Sequence, residues 1–317
     1  LPPPLPPRPF APDAELDRLK TAASAAYARL AVEESLQVQG QRSYVQHAFS
    51  LQTGTRDIGL SYKSFAGLEA AYNPRFLTDG CSGFGMVRPR SCWYANGFLS
   101  ARLERPSGTL SIDNVQGKPT VIQKEGRRVA FDLWFASPDA AISIRTVALA
   151  GRDELFVAVQ GKTPQPEADA RLVATCSAYP IGFQGPFDRW AHAAAQDLQN
   201  AGKEQKAFPL DAKAETWVLL TDHGLNAKGD QPGQLGLVWK AEECELAAII
   251  HAGNYCIRPG FRGRPGCTLL RFIVCDFDAM TWEAARDKLA ALSRQADALW
   301  EEAFSGLPAP QGQGEPR

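Results

Sequence analysis

The sequence has little net charge, and it lacks any long hydrophobic run. Its 317 residues carry 34 Lys and Arg against 35 Asp and Glu, which gives a formal net charge of -1. A protein without a broad positive field has no general attraction for nucleic acid or for an anionic membrane. No stretch approaches the roughly 18 to 20 apolar residues that a membrane-spanning helix needs. We therefore expect neither a nucleic-acid partner nor a membrane span. A charged ligand would have to be bound by a local cluster of charged side chains.

The sequence also lacks the motifs that mark common cofactor and hydrolase sites. It contains no GxxxxGK[ST] phosphate loop, no HExxH zinc motif and no GxSxG nucleophile elbow. The stretch "GFGM" at 83–86 is followed by Val87 and Arg88 and has no third glycine, so it does not form a dinucleotide-binding fingerprint. We expect no cofactor and no metal ion.

Histidine is scarce, which limits the candidates for proton transfer. The histidines are His47, His192, His223 and His251. His47 lies in a strand pattern and His192 in an alanine-rich segment, 187–202, that predicts a short helix, so we interpret both as structural. His223 follows Asp222 where a strand runs into a polar loop, a position at which scaffolds carry functional side chains. His223 is therefore a candidate, the alternative being an ordinary exposed turn residue.

The chain has seven cysteines, and their pairing indicates whether the protein works in an oxidising or a reducing cellular compartment. Cys81 and Cys92 have the same spacing as Cys256 and Cys267, and both intervening segments are rich in Gly, Pro and Arg. This spacing does not fit a zinc site, so we predict two loop-closing disulfides and an oxidising compartment; the alternative is buried free thiols in a cytosolic protein. The chain is expected to be a mature secreted, periplasmic or cell-surface protein. The pairing of the other three stays open: Cys176, Cys244 and Cys275.

The hydrophobic pattern predicts a β-rich body with helical flanks. Val129, Phe131, Leu133 and Phe135 alternate with other residues, the period of a strand with one face on a core. The breaks between successive runs are short, which favours antiparallel neighbours. We predict an all-β fold, a large antiparallel β-sandwich with flanking N- and C-terminal α-helices. The predicted segments are a Pro-rich leader at 1–12, a helix at 13–34, the sandwich at 35–280, a helix at 281–305 and a flexible tail at 306–317.

The two cysteine-bracketed segments carry arginine and no lysine. Arginine is the residue that holds a planar carboxylate, sulfate or phosphate with two hydrogen bonds. If the segments meet in space, they form a local anion site from Arg88, Arg90, Arg258, Arg262 and Arg264. Trp93 and Tyr94 lie beside one segment and can stack on sugar rings, although core packing is the ordinary role of such residues. The alternative for the arginines is a solvated loop whose cations pair with surface carboxylates.

Long antiparallel β-runs with arginine- and aromatic-rich loops and flanking helices resemble the β-sandwich domains of bacterial polysaccharide lyases and the galactose-mutarotase-like sandwiches. The resemblance is to architecture over 35–280, and no diagnostic family motif matches. It implies an extracellular carbohydrate-active protein that acts on a polysaccharide or oligosaccharide, and it assigns no catalytic residue.

On that basis we expect β-elimination on a uronate-containing polysaccharide. The reaction needs groups that neutralise the carboxylate, a base for the adjacent C–H and an acid for the leaving oxygen. Arg258, Arg262 and Asn254 are the candidates for neutralisation, and Tyr255 with His251 or His223 for proton transfer. One alternative is a glycoside hydrolase using the carboxylate pair Asp222 and Asp230, since hydrolysis needs two carboxylates across a cleft. The other is a non-catalytic carbohydrate-binding or cell-surface structural protein. The polymer and the oligomeric state stay open.

Overall fold

The fold is built from three antiparallel sheets and two short helices. A computed structural model describes residues 26–39, 42–65, 84–88, 97–178, 188–200, 205–223, 234–252, 256–277 and 280–310. The predicted all-β sandwich is confirmed, while the Pro-rich leader and residues 13–25 lie outside the described residues. Among the described residues, no helix is long and apolar enough to cross a membrane.

Two of the sheets have five and six strands. The five-stranded sheet has the spatial order β4-β3-β2-β1-β8, with β1 (Ala28–Gln39), β2 (Arg42–Gln52), β3 (Asp57–Phe65), β4 (Phe84–Arg88) and β8 (Glu125–Gly126). The six-stranded sheet has the order β15-β18-β19-β12-β5-β6, with β5 (Leu99–Arg105), β6 (Gly108–Ser111), β12 (Arg171–Cys176), β15 (Lys206–Leu210), β18 (Cys244–Ala252) and β19 (Cys256–Gly263).

The largest sheet has nine strands and is followed by the helices. Its order is β14-β13-β16-β17-β20-β11-β10-β9-β7, with β7 (Gly117–Gln123), β9 (Arg128–Ser137), β10 (Ala140–Leu149), β11 (Leu155–Lys162), β13 (Arg189–Ala193), β14 (Asp197–Asn200), β16 (Trp217–Asp222), β17 (Gln234–Trp239) and β20 (Leu269–Phe277). The helices are α1 (Trp282–Arg294) and α2 (Ala296–Phe304).

The nine-stranded sheet is buried on both faces. On one face, Phe131 stacks on Phe49 of the five-stranded sheet with ring centroids 4.0 Å apart, and Phe272 contacts Phe261 of the six-stranded sheet at 5.0 Å. On the other face, Ala130 belongs to the apolar cluster formed with α1 and α2. The molecule therefore has three layers: the two smaller sheets, the nine-stranded sheet and the helices.

The predicted single C-terminal helix is two helices. Thr281 caps α1 by accepting a hydrogen bond from the Ala284 N–H at 3.3 Å, and the chain leaves the helical geometry at Gln295, with φ -105° and ψ 0°. The break lets both helices follow the twisted sheet. The buried large side chains of this layer are Leu289, Leu292, Leu299 and Trp300.

The first part of the predicted flexible tail is held on the nine-stranded sheet. Arg145 donates to the Pro308 carbonyl at 2.6 Å and makes a bidentate ion pair with Asp132 at 2.7 and 2.8 Å. Lys162 donates to the Pro310 carbonyl. Residues 306–310 therefore cover a buried ion pair, and only 311–317 lie outside the described residues.

Two predicted helical segments are strands instead. Residues 28–34 belong to β1, whose buried Ala28 and Leu30 have the two-residue period of a strand and which pairs with β2 along its length. Residues 189–193 and 197–200 form the hairpin of β13 and β14, so His192 lies on a strand. Short segments rich in Ala and Leu fit the hydrophobic period of a helix as well as that of a strand. Pairing with a neighbouring strand decides between the two structures.

The predicted disulfide between Cys256 and Cys267 is wrong. Both are free thiols, because the intervening segment is the extended strand β19 rather than a loop. A strand rises about 3.3 Å per residue, so Cys256 lies roughly 20 Å from the Gly263 end, whereas bridged Cα atoms lie about 4 to 7 Å apart. Cys267 lies beyond that end, where its carbonyl accepts the Leu172 N–H.

The remaining cysteines do not supply a replacement bridge among the described residues. The free thiols there are Cys176, Cys244, Cys256, Cys267 and Cys275. Cys244 and Cys275, whose pairing the sequence left open, belong to the six-stranded and the nine-stranded sheet respectively. The second predicted pair, Cys81 and Cys92, lies outside the described residues.

Alkylation without reduction tests the corrected cysteine assignment. We expect mass spectrometry of the alkylated, unreduced and digested protein to recover Cys256 and Cys267 on separate modified peptides, because the strand between them keeps the sulfur atoms apart. A reduced sample provides the matched control. Recovery of one peptide pair linked through these two residues would contradict the extended β19.

Replacing Leu289 by Ala tests the packing of the helical layer. Leu289 is 0% exposed, and a Cβ added to Gly236 on β17 would lie 2.8 Å from its Cδ1, so the side chain fills the space over the sheet. We expect the substitution to lower the free energy of unfolding by about 2 to 5 kcal/mol in urea denaturation. Glu301→Ala, at an exposed position of α2, is the control. Equal stability of the two variants would contradict a helical layer that closes the core.

Candidate functional site

Many of the residues predicted to form a site lie outside the described residues. These are Arg90, Trp93, Tyr94, Asn254, Tyr255 and Asp230. The backbones of Arg88 and His251 are described: Arg88 ends β4 opposite Gly59, and His251 pairs with Ile257 on β19. The roles that we predict for these eight residues remain predictions.

The three arginines of the predicted loop lie on or just after β19 and do not converge. Arg258 is exposed and donates from Nε to the Cys256 sulfur at 3.2 Å. Arg262, four residues along the same strand, pairs with Glu104 at 3.3 Å. Arg264 donates to the Ala241 and Cys244 carbonyls at 3.2 and 3.3 Å. This is a charged sheet surface with a structural arginine at one end, rather than a pinned loop.

His223 lies directly after β16 and meets His192 of β13. The register pairs Trp190 with Thr221 and His192 with Leu219, so Trp190, His192 and His223 follow one another on the face of the nine-stranded sheet that α1 covers. Trp282, the first residue of α1, completes the group. We call Trp190, His192, His223 and Trp282 the imidazole–indole cluster.

The four rings of the imidazole–indole cluster are stacked. Trp282 lies over His192 with centroids 4.4 Å apart and an interplanar angle of 12°, and it lies 5.1 Å from His223. Trp190 lies 5.6 Å from His192 and 5.2 Å from His223. His192 is buried, with 1% of its surface exposed, whereas the other three rings are half-buried. Three rings are therefore available to a ligand around a fixed central imidazole.

Hydrogen bonds join the two histidines to a carboxylate. His192 Nδ1 lies 2.7 Å from Asp197 Oδ1, and His192 Nε2 lies 3.3 Å from His223 Nε2. A carboxylate only accepts, so Nδ1 of His192 carries a proton, and in the neutral ring Nε2 accepts the Nε2–H of His223. This tautomer leaves the lone pair on Nδ1 of His223, which has no hydrogen-bond partner among the described residues.

The surroundings favour the neutral form of His223. Burial lowers the pKa of His223 below its ordinary value, and the nearby His192 lowers the pKa further. The carboxylates of Asp188, Glu283 and Asp197 act in the opposite direction, but the net pKa shift is downward. A neutral imidazole with a free nitrogen, oriented by a second imidazole that a carboxylate orients in turn, has the arrangement of a general base.

Polar groups line the edge of the cluster. Asp188 accepts the indole N–H of Trp190 at 2.9 Å and the side-chain amide of Gln199 at 2.7 Å. Arg286, one turn along α1, places its guanidinium carbon 5.3 Å from the ring centroid of Trp282. A carboxylate, an amide and a guanidinium therefore lie beside the two indoles.

Asp222, one carboxylate of the predicted hydrolase pair, is held by a backbone hydrogen bond. Its carboxylate accepts the backbone N–H of Asp188 at 3.2 and 3.3 Å, and it is 4% exposed. This bond fixes the start of β13 against the end of β16. The described residues contain no group of three or more His, Cys, Asp or Glu side chains that could hold a metal ion.

The sequence contained a signal for the cluster that the helix prediction hid. "RWAHA" at 189–193 places Trp190 and His192 two residues apart, on one face of a strand. Interpreted as a strand, it predicts that the two rings lie side by side. The approach of His223, 31 residues further along, follows only from the register of β13 and β16.

Comparison with solved structures finds similarities of low sequence identity. The fold is similar to a putative aldose 1-epimerase from Klebsiella pneumoniae, with a TM-score of 0.48 and 8% identity over 84% of this chain and 96% of that one. It is also similar to the α-N-acetylgalactosaminidase NagBb of Bifidobacterium bifidum, with a TM-score of 0.45 and 13% identity over 82% of this chain and 39% of that one. A GH36 α-galactosidase from Geobacillus stearothermophilus gives a TM-score of 0.40 and 11% identity over 76% and 41%.

At identities of 8 to 13%, these similarities assign no residue of this chain a role. No protein-family model matches the sequence, and no curated protein does. Any account of the site therefore rests on its own geometry.

The pH dependence of stability tests the environment of His223. Because its pKa in the folded protein lies below the ordinary value of 6.5, the folded state binds this proton less tightly than the unfolded state does. The contribution of a neutral His223 to the stability of the folded protein is fully present above pH 6.5 and is lost as the pH falls below that value. We expect the stability of the native protein relative to His223→Gln to decrease between about pH 8 and about pH 5 in urea denaturation. Asp188, Glu283 and Asp197 are present in both proteins, so a stability difference that is constant with pH would contradict the lowered pKa.

Proposed function

We propose that the protein is carbohydrate-active and that the imidazole–indole cluster binds an acidic sugar and removes a proton from it. The observation that carries the proposal is Nδ1 of His223, which has no hydrogen-bond partner among the described residues and belongs to a ring oriented through His192 by Asp197. General bases of this kind work best when their pKa lies near or below the working pH, so that the ring is unprotonated when the substrate arrives.

The half-buried indoles suit a sugar. A pyranose ring has apolar C–H faces and a rim of hydroxyl groups, so it can lie on an aromatic face while its rim contacts polar side chains. Trp190 and Trp282 supply the aromatic faces, and Asp188 and Gln199 supply an acceptor and a donor beside Trp190. The chemistry at the edge of the cluster is that of hydroxyl recognition.

Arg286 favours an acidic sugar over a neutral one. Its guanidinium lies beside Trp282, which also neighbours His223. Among the described residues, Arg286 pairs with Asp287, whose Oδ1 lies 3.9 Å from its Nε, beyond hydrogen-bond distance. On this geometry the guanidinium retains its capacity to bind a carboxylate with two hydrogen bonds. Binding of a uronate carboxylate by Arg286 would acidify the neighbouring C–H.

The reaction that we propose is β-elimination. The proton on the carbon next to the carboxylate passes to Nδ1 of His223, the released electron pair forms a carbon–carbon double bond, and the bond from the next carbon to the glycosidic oxygen breaks. The leaving oxygen takes a proton from the imidazolium of His223 or from water. The substrate would be a uronate-containing polysaccharide, and a polymeric substrate of this kind favours a secreted, periplasmic or cell-surface location.

The test is a panel of uronate-containing polysaccharides assayed for near-ultraviolet absorbance and for new reducing ends. We expect both signals, because elimination creates an unsaturated uronate. His223→Gln should lower kcat by about 10² to 10⁴-fold as expected for loss of a general base. Arg286→Lys keeps the charge and loses the bidentate geometry, so kcat/KM should fall by a factor equivalent to about 1.5 to 3 kcal/mol.

The matched controls are Arg258→Gln and Arg262→Gln on the surface of the six-stranded sheet, which should retain activity. Loss of activity in these two variants with normal activity in His223→Gln would move the site to the arginine strand. Reducing ends without the chromophore would indicate hydrolysis, and binding without either signal would indicate a carbohydrate-binding protein. Each of these results contradicts elimination at the cluster.

A further inference from the structure

A second group of proton-transfer side chains lies on the five-stranded sheet, away from the imidazole–indole cluster on the nine-stranded sheet. Glu34 on β1 pairs with His47 on β2, and Ser64 on β3 pairs with Val45, two residues from His47. The three side chains Glu34, His47 and Ser64 therefore follow one another across three adjacent strands, on the face that also carries the buried Phe49.

The atoms are placed as in a serine nucleophile with its base. His47 Nε2 lies 3.1 Å from Ser64 Oγ, and His47 Nδ1 lies 3.1 Å from Glu34 Oε1. Because the carboxylate only accepts, Nδ1 carries the ring proton, and Nε2 of the neutral ring accepts the serine hydroxyl. The other hydrogen bond open to that hydroxyl, to the Val45 carbonyl, is longer at 3.5 Å. The favoured geometry is the one that activates serine.

Burial defines what such a serine could accept. Ser64 and His47 are 5% and 7% exposed, whereas the Glu34 side chain is 64% exposed. The ring of His47 is held in place by Tyr62, whose ring lies 6.1 Å away at an interplanar angle of 19°. A nucleophile and base this enclosed exclude a bulky acyl chain.

We propose that Ser64 is an activated nucleophile that takes a short acyl group from an ester. Ser64 Oγ attacks the ester carbonyl carbon while its proton passes to Nε2 of His47, and Glu34 stabilises the imidazolium through Nδ1–H. The bond between the carbonyl carbon and the ester oxygen then breaks, and the departing alcohol takes the proton from Nε2. A water molecule then attacks the carbonyl carbon of the acyl-serine while Nε2 of His47 takes its proton. The bond to Ser64 Oγ breaks, the proton returns to Oγ, and the carboxylic acid is released.

The experiment uses p-nitrophenyl acetate with the full chain. We expect release of p-nitrophenolate and, after an acid quench and peptide mapping by mass spectrometry, an acetyl group on Ser64. Ser64→Ala should abolish the acetylation, and His47→Gln should slow it by at least about tenfold, since removal of the base costs catalysis of about this size or more. Glu34→Gln changes an exposed side chain, so it should also slow the acetylation of Ser64 without loss of the fold. The test therefore holds even where His47→Gln does not fold.

The matched control is Ser61→Ala. Ser61 lies on β3 as well and is 2% exposed, but it occupies the other face of the strand, and the part of the chain that the structure describes gives it no histidine contact. This variant should be acetylated at Ser64 like the native protein. An unmodified Ser64 in the folded native protein, or equal acetylation of Ser64 in the native and Glu34→Gln proteins, would overturn the proposal. Because Ser64 and His223 lie on different sheets, neither result bears on sugar elimination at the imidazole–indole cluster.

Discussion

The burial of the nine-stranded sheet on both faces is the constraint on which the rest of the structure depends. A sheet with two apolar faces needs a layer on each side, and here the two smaller sheets cover one face while α1, α2 and residues 306–310 cover the other. Charged groups buried on such a sheet have to be paired, as Arg145 and Asp132 are. The imidazole–indole cluster lies where the helical layer over the nine-stranded sheet ends. The group of Glu34, His47 and Ser64 forms by side-chain contacts across neighbouring strands of the five-stranded sheet.

The imidazole–indole cluster lies at such an end. β13 and β16 are near one edge of the nine-stranded sheet, and α1 begins over them, so its first residue, Trp282, covers His192 but leaves His223 half-buried. A base needs both a fixed orientation and access to substrate. Burial of His192 under the helix provides the first, and the position of His223 just past the end of β16 provides the second.

The sequence predicted the structure correctly where the apolar residues fit only one hydrophobic period, that of a helix or that of a strand. It was misleading where they fit both. The β-rich body followed from strand alternation in segments such as 128–137, and the C-terminal helical region followed from its stripe of apolar residues. Residues 28–34 and 189–193 are short and rich in small apolar residues, so they fit a helix as well as a strand until a partner strand is known. Likewise Pro259 and Gly260 suggested a loop, but β18 and β12 on either side hold that segment as β19.

The candidate site could be predicted only in part, because register brings together residues that are distant in sequence. His223 was identifiable from its position after a strand. His192 and Asp197, which orient it, depend on the β13–β14 hairpin and on the pairing of β13 with β16. The same holds for Glu34, His47 and Ser64, whose contact requires three strands in one register. Spacing along a single segment does not contain this information.

The most direct test of the acidic-sugar site is a ¹H–¹⁵N NMR titration that follows the indole N–H signals of Trp190 and Trp282, assigned with Trp→Phe variants. A uronic-acid oligosaccharide should shift both signals, and its methyl ester, which cannot form the ion pair with Arg286, should shift them only at higher concentration. Unchanged indole signals at saturating oligosaccharide, or equal responses to the acid and the ester, would contradict the account.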